Sequence, residues 1–348
     1  MILDTLREPI VQAPMAGGPS TPALAAAVAR AGGLGFLAAG YKSVDGVAQD
    51  IATLRERSSA PFGVNLFVAS AQPADPGRIE VYLRELAPEA ERYGVPLGAP
   101  RHDDDGWEAK LDLLEDERVA LVSFTFGCPP AAVLERLRAA GIETWVTITS
   151  PAEAVDAVRS GADGLVVQGV EAGGHRGAFA DESGVEGTGL LALLSLVHQG
   201  TDVPLVASGG IMTGAAIAAV LCVGASAAQL GTALMRTPEA GTSAAHRAAL
   251  AAEGRTGLTR AFSGRLARGI VNRFQCEHSA TAPSGYPEIH HATSPLRAEA
   301  RRRGDADGFN LWAGQAFGLG VEEPAEEVVS GLAADARAAL RQAIQVWK

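Results

Sequence analysis

The chain has 348 residues, of which 47% are hydrophobic and 20% are charged, a balance typical of a globular protein with a large core. Its 29 basic and 40 acidic residues give a net charge of −11, which disfavours a nucleic acid or an anionic membrane as partner. The 3 cysteines have no paired spacing, and neither a signal peptide nor a membrane-spanning apolar run is visible, so we expect a cytoplasmic protein without disulfides or a metal site.

Short apolar or β-branched segments alternate with alanine-rich helical segments over the first two thirds of the chain. The predicted strands are Ile10–Ala13, Gly35–Ala38, Phe62–Leu66, Ala120–Phe124, Glu143–Ile148, Gly164–Gln168, Pro204–Ser208 and Ala227–Leu230. Such alternation is the signature of parallel βα units. Eight units in unbroken sequence favour an α/β fold of the (β/α)8 TIM barrel type, which takes about 250 residues. An open doubly wound sheet is the alternative.

Two of the helical segments carry clear start signals. Thr21 precedes Pro22 and Ser150 precedes Pro151, so a capping side chain stands before a proline at the first helical position. Ser150 and Glu153 also have the spacing of a capping box. These signals predict helices after the first and fifth strands.

The domain organisation is predicted from two breaks in this alternation. We expect a barrel over residues 1–236, interrupted by an excursion of helices and loops at about 73–118. A smaller, mostly helical subdomain over 237–300 is expected to cover the C-terminal face of the barrel. In the last segment, 301–348, a helix over Ala325–Val346 is expected to pack back on the barrel.

The loops after the seventh and eighth predicted strands are rich in glycine. Active sites of such barrels lie at the C-terminal ends of the strands, and phosphate groups often bind at these two loops. Glycine lets backbone N–H groups converge on an anion, and a threonine hydroxyl adds a donor. Either loop alone is explained as a tight turn, but the two together predict a phosphate site. Its residues are Ser208, Gly209, Gly210, Gln229, Leu230, Gly231 and Thr232.

A histidine follows the sixth predicted strand, where Gly173 and Gly174 place His175 at the mouth of the barrel. An imidazole exchanges protons near neutral pH, which suits a general base or an anion-stabilising group. The other histidines lack this placement and are interpreted as structural or solvated side chains, with the last two in a loop. Those weighed are His102, His198, His246, His290 and His291, five of the six other histidines.

The end of the first predicted strand, Ala13, Pro14 and Met15, offers a flat surface for an aromatic cofactor. Asn65 and Gln168 end the third and sixth strands, and their amides can both donate to and accept from the edge of an isoalloxazine ring. By themselves these amides do not identify a flavin site, because amides at strand ends often cap the backbone.

The sequence resembles the nitronate monooxygenase family, in particular its class I branch. The motifs that carry the resemblance span nearly the whole chain in order. They are Gln12–Gly18, Phe62–Phe67, Ser123–Gly127, Gln168–Gly177, Ala207–Ile211, Gln229–Thr232 and Trp312–Gln315. The resemblance implies His175 as the catalytic base, and Cys128 stands where an aliphatic residue is expected.

The same resemblance implies FMN as the cofactor. The implied contacts are Ala13, Pro14 and Met15 along the flavin, and Asn65, Gln168, Gly173, Gly210, Gln229, Leu230, Gly231, Thr232 and Gln315 elsewhere. The neighbouring Gly174, Ser208 and Gly209 are included in the predicted cofactor site.

The activity implied by the resemblance is the oxidation of alkyl nitronates by O₂ to a carbonyl compound, with release of nitrite or related nitrogen oxides. Propionate 3-nitronate is the expected substrate, and a homodimer is one option for the assembly. The alternative is an FMN-dependent NAD(P)H reductase of the enoyl-acyl-carrier-protein or quinone type, which shares a Gly-Gly-His segment. The segments Glu171–Gly177 and Trp312–Gln315 favour the monooxygenase.

A third interpretation is a catalytically silent flavin- or phosphate-binding barrel that acts as a sensor, because a fold does not determine a function. An intact His175 and an intact phosphate site argue against it. Tyr286 and Arg265 are candidates to reach the pocket from the covering segment.

Overall fold

The computed structural model describes residues 1–69, 73–181 and 187–347. Residues 70–72, 182–186 and 348, which fall inside the predicted barrel and the predicted C-terminal segment, lie outside the described part. None of the helices in the three described ranges is both long and apolar enough to cross a membrane.

Eleven strands occur in the described chain. They are β1 (Ile10–Gln12), β2 (Gly35–Ala38), β3 (Phe62–Phe67), β4 (Leu121–Thr125), β5 (Glu143–Ile148), β6 (Gly164–Gln168), β7 (Gly174–His175), β8 (Leu205–Ser208), β9 (Ala227–Leu230), β10 (Thr256–Thr259) and β11 (Ala267–Ile270).

The α-helices follow the same alternation. They are α1 (Pro22–Arg30), α2 (Val44–Arg57), α3 (Pro76–Glu85), α4 (Ala87–Tyr93), α5 (Trp107–Asp116), α6 (Ala131–Ala139), α7 (Pro151–Ser160), α8 (Leu190–His198), α9 (Gly214–Cys222), α10 (Ala244–Ala251), α11 (Arg273–His278), α12 (Glu288–Arg303) and α13 (Ala325–Val346). Short 3₁₀ helices occupy Ile2–Thr5, Thr232–Leu234 and Phe317–Leu319.

Eight of the strands form one parallel sheet in the order β1-β9-β8-β6-β5-β4-β3-β2. The sheet closes between its first and last strands, because Gln12 donates its N–H to Leu34 O at 2.9 Å and Leu34 donates to Ile10 O at 2.9 Å. The predicted TIM barrel is therefore confirmed, and each predicted strand is found within one residue of its expected bounds.

The N-terminal end of the barrel is filled by apolar side chains. Trp145 and Phe36 are fully buried there, with their ring centroids 6.0 Å apart. Ile2, in the first 3₁₀ helix, packs in the same cluster, and its N–H donates to the carboxylate of Glu143 at 2.8 Å. Since this end is plugged by packed side chains, the C-terminal end is the one that can hold a site.

A second, three-stranded antiparallel sheet covers the C-terminal end, in the order β10-β11-β7. Its strand β7 lies in the loop after β6. It pairs with β11, Ala267 opposite His175 and Arg268 opposite Gly174. The segment 237–300 thus contains the hairpin β10–β11 beside the helices α10, α11 and α12, and is mixed in structure. The third strand of this sheet could not be predicted from local sequence, because β7 lies some 90 residues before its partner β11.

His290 and His291, expected in a loop, lie instead in α12, which contains Pro295. A proline inside a helix leaves carbonyl groups without their usual partners. The carbonyl affected by Pro295 is that of His291, four residues earlier, and beside it the excursion between β3 and β4 contacts the helix, where Gly98 donates its N–H to Ala292 O at 2.8 Å. A Cβ at Gly98 would lie only 2.4 Å from His291 O, so this close approach needs glycine.

Candidate active site

A cavity of about 440 Å³ opens at the C-terminal end of the barrel. Most of the predicted site residues line it. They are Ala13, Pro14, Met15, Asn65, Gln168, Gly173, Gly174, His175, Ser208, Gly209, Gly210, Gln229, Gly231 and Thr232. The structure therefore brings together residues from the ends of five barrel strands and from the loop after β6.

Two predicted contacts do not line this cavity. Leu230 is fully buried, and its carbonyl accepts the N–H of Ala13 at 2.8 Å, so it supports the site from the core. Gln315 is exposed, and its N–H donates to Glu171 O at 3.0 Å. The turn that carries Gln315 directs its neighbour Gly314 to the cavity instead, where the Gly314 N–H donates to Thr232 Oγ1 at 3.0 Å.

The two glycine-rich loops present unpaired backbone donors to the cavity. Gly209 and Gly210 have φ angles of +124° and +68°, which L-residues with a side chain rarely adopt. Within the described ranges, the N–H groups of Gly210, Gly231 and Thr232 have no protein acceptor. A Cβ at Gly231 would lie 3.5 Å from the Ala13 Cβ, so this loop sits directly against the end of β1.

The amides of Asn65 and Gln168 serve different purposes. Asn65 Nδ2 donates to Ser123 Oγ at 2.9 Å and to Thr125 Oγ1 at 3.0 Å, which leaves Oδ1 as its available acceptor. Gln168 Nε2 donates to His175 O at 3.1 Å, and its Oε1 accepts the N–H of Gly177 at 2.8 Å. The Gln168 amide therefore holds the loop that carries His175.

His175 lies among aromatic rings and is held by a serine. Its ring centroid is 5.4 Å from that of Trp312 and 5.7 Å from that of Phe126. His175 Nε2 is 2.8 Å from Ser263 Oγ, and this hydroxyl donates to Arg265 O at 3.3 Å. The serine oxygen consequently accepts from Nε2–H, which leaves the lone pair of His175 Nδ1 free to take a proton.

Burial lowers the pKa of His175 to about 3, and the nearby positive charges of Arg265 and Arg297 act in the same direction. The imidazole is therefore neutral at physiological pH. A neutral imidazole with one free ring nitrogen can accept a proton from a bound carbon acid, and its partner hydroxyl keeps the ring in place.

Comparison with known proteins identifies the family. The family model described as "Nitronate monooxygenase" matches residues 2–335. The nitronate monooxygenase of Pseudomonas aeruginosa is 42% identical over 343 residues, covering 95% of this chain and 97% of the relative. That of Paraburkholderia phytofirmans is 40% identical over 344 residues, covering 96% and 94%.

The chain belongs to the nitronate monooxygenase family.

Solved structures agree with this family. The crystal structure of nitroalkane oxidase from Streptomyces ansochromogenes is 51% identical, with a TM-score of 0.96 and 99% coverage of both chains. FabK from Thermotoga maritima has a TM-score of 0.79 at 23% identity, so this likeness shows the fold alone. Membership of the nitronate monooxygenase family makes the chain an oxidoreductase and implies a flavin cofactor.

Several residues of this nitronate monooxygenase site were not expected from the sequence. They are Tyr41, His246, Ser263, His290, Ser294, Arg297, Arg301 and Asn310, all of which line the cavity. If α12 had been predicted as a helix, its cavity-lining residues would have been expected on one face, because Ser294 and Arg297 follow His290 at helical spacing. The other members come from separate segments and give no local signal.

Tyr41 is held at the cavity by a buried network. Its φ of 67° is unusual for a residue with a side chain, and its ring stacks on His290 with the centroids 4.0 Å apart. The Tyr41 N–H donates to Asp105 at 3.1 Å, and Lys110 forms an ion pair with Asp105 at 2.8 Å. Tyr286, one of the two candidates from the covering segment, donates its hydroxyl to that of Tyr41 at 3.3 Å.

Proposed function

We propose that this member of the nitronate monooxygenase family binds FMN and oxidises alkyl nitronates with O₂, with propionate 3-nitronate as its natural substrate. The products are a carbonyl compound and nitrite or related nitrogen oxides. One observation carries the proposal: His175, with a free ring nitrogen, lies in the same cavity as the unpaired backbone donors of the two glycine-rich loops.

The loops fit the phosphate of FMN. The free N–H groups of Gly210, Gly231 and Thr232 are the kind of donors that bind a phosphate dianion, and the missing side chains of the glycines leave room for it. The Ala13–Met15 backbone, which lies against Gly231, would support the ring system. Asn65 Oδ1 would accept an N–H at the edge of that ring.

FMN, when bound, supplies the electron transfer between the nitronate and O₂. The protein orients the substrate and manages protons. With a neutral nitroalkane, His175 Nδ1 would remove the proton on the carbon that bears the nitro group. With a nitronate, which has already lost that proton, the neutral ring of His175 would only help to position the substrate.

The experiment is a steady-state assay of the flavin-loaded protein with propionate 3-nitronate. We expect O₂ consumption matched by formation of aldehyde and nitrogen oxides, without added NADH or NADPH. The matched control gives the same protein NADH or NADPH and no nitronate, and we expect only slow background oxidation. Rapid oxidation of the nicotinamide in the control, with no turnover of nitronate, would support the reductase and overturn the proposal. No turnover in either arm by flavin-loaded protein would support the silent barrel.

A further inference from the structure

One face of α12 lines the cavity and is basic. His290, Ser294, Arg297 and Arg301 all contribute to the lining, and their spacing of three and four residues places them on the same side of the helix. Arg297 is only 6% exposed, so its charge is almost fully removed from solvent. Burial lowers the pKa of Arg297 to about 10, which still leaves the guanidinium charged at neutral pH.

The partners of both guanidinium groups are neutral. Arg297 Nη2 donates to His290 O at 2.7 Å, and Arg297 Nε donates to Thr293 Oγ1 at 3.1 Å. Arg301 Nη2 donates to Asn310 Oδ1 at 2.7 Å, and Arg297 Nη1 reaches the same oxygen at 3.4 Å. Asn310 therefore sits between the two arginines and orients both.

In the described part of the chain, the lining of the cavity has no acidic side chain that could compensate this positive charge, although the whole protein has a net charge of −11. A buried charge that lacks a counter-charge is costly, and it strongly favours any anion that fits beside it. The arrangement is therefore that of a binding site for a negatively charged group.

The position of this basic face fits the chain of a small substrate. Arg297 is close enough to His175 for its charge to lower the pKa of that imidazole. His290, on α12, and Tyr41, which follows β2, stack their rings and both line the same cavity. A molecule with an anionic group at each end could thus present one end to His175 and the other to α12.

We propose that Arg297 and Arg301 form a second anion subsite that binds a carboxylate at the end of the substrate opposite the nitronate group. The preferred substrates are then short aliphatic nitronates with a terminal carboxylate. This inference rests on the proposed function, and adds to it the residues that recognise the second charge.

The turnover test compares two nitronates of similar length, propionate 3-nitronate and propyl 1-nitronate, which lacks the carboxylate. The variants are Arg297→Met and Arg301→Met. Arg302→Met is the matched control, because Arg302 lies on the same helix but is exposed and pairs with Glu299 at 2.7 Å outside the cavity. Losing one partner of a buried charge-assisted pair lowers affinity by about 100-fold.

We expect kcat/KM for propionate 3-nitronate to fall by about that factor in Arg297→Met, and by at least about 10-fold in Arg301→Met. Turnover of propyl 1-nitronate should change little in either variant, and Arg302→Met should leave both activities unchanged. Equal losses on both nitronates, or a wild-type enzyme that does not distinguish them, would overturn the subsite. If neither nitronate is turned over by wild type, the proposed function itself has failed.

A binding measurement tests the subsite without turnover. Succinate resembles propionate 3-nitronate in having planar anionic groups at both ends, whereas butyrate has only one. Calorimetric titration of the flavin-loaded wild type should show succinate binding more than about 10-fold tighter than butyrate. The difference should disappear in Arg301→Met, which loses one hydrogen bond and a cation–π contact with Phe309. This is the second variant if Arg297→Met fails to fold. Similar affinities of wild type for the two acids would contradict the proposal.

Discussion

At the scale of single residues, the chemistry of the site depends on which ring nitrogen of His175 is hydrogen-bonded to the protein. Ser263 contacts Nε2 and Gln168 holds the backbone, so Nδ1 is the ring nitrogen left to accept a proton. His175 itself was predictable, since a histidine after glycines at the end of a barrel strand has a local signal. Ser263 was not, because it lies 88 residues away along the chain and meets His175 only through the β7–β11 pairing.

Replacing His175 by asparagine separates proton abstraction from oxidation. We expect turnover of neutral nitroalkanes to fall by about 10²–10⁴-fold, the usual contribution of a general base. Turnover of preformed nitronates should fall much less, because the ionisable proton has already left. Flavin content of the purified variant should match wild type, since the phosphate loops are untouched. Equal losses on nitroalkane and nitronate would restrict His175 to positioning the substrate.

The buried histidines also predict how stability depends on pH. Burial lowers the pKa of His246 from 6.5 to about 4, as it lowers that of His175 to about 3. Between pH 6.5 and these values the unfolded chain binds more protons than the folded chain, so the free energy of unfolding falls as the pH is lowered. At pH 5.5 the loss from His246 alone should be on the order of 1 kcal/mol relative to neutral pH.

Denaturant unfolding at pH 7.5 and pH 5.5 measures this loss. His246→Gln is the informative variant, because its amide can still donate to Trp312 O, which is 3.1 Å from His246 Nε2. We expect the variant to lose less stability than wild type on acidification. An identical pH dependence in the two proteins would show that His246 is protonated in the folded state.

At the scale of elements, local signals account for what was predicted well. Thr21 Oγ1 accepts from Leu24 N at 3.0 Å and Ser150 Oγ accepts from Glu153 N at 3.2 Å, as their capping positions predict. The helix α12 was missed because Pro295 and the paired histidines are typical of loops. Its stability depends on contacts with the β3–β4 excursion, which a local pattern does not contain. Which residue of the Trp312–Gln315 segment faces inward depends on the turn geometry, and here Gly314 lines the cavity while Gln315 is exposed.

The loop after β9 provides a direct test of the phosphate site. Gly231 has a φ of −108°, which any residue can adopt, and a Cβ there would meet Ala13 and Met15 only at ordinary contact distances of 3.5 and 3.6 Å. Gly231→Ala should therefore retain most of its FMN. Gly231→Asp should lose it, because a carboxylate would stand beside the phosphate.

Flavin released by denaturation and quantified by chromatography checks this prediction. Gly318→Asp is the control, since Gly318 is exposed and a Cβ there meets nothing within 4 Å. It should keep full FMN content. Equal retention in Gly231→Asp and Gly318→Asp would place the phosphate elsewhere, and recovery of FAD from the wild type would overturn the choice of cofactor.

At the scale of the whole molecule, the barrel separates its two ends by function. The N-terminal end is packed around Trp145 and plugged by the first 3₁₀ helix, whereas the C-terminal end carries the cavity and the second sheet. The net charge of −11 predicts which partners the whole protein disfavours, but it does not predict the charge of the site. The lining of the cavity is positively charged. That contrast arises only after folding, when α12 brings Arg297 and Arg301 to the mouth of the barrel.

Anaerobic mixing of the FMN-loaded protein with propionate 3-nitronate tests the central claim most directly. The account predicts that the visible absorbance of the flavin changes within the turnover time, in the absence of any nicotinamide. Admission of O₂ should restore the oxidised spectrum, with one aldehyde formed for each nitronate consumed. A flavin spectrum that is unaffected by the nitronate, but bleached by NADH or NADPH, would contradict the account.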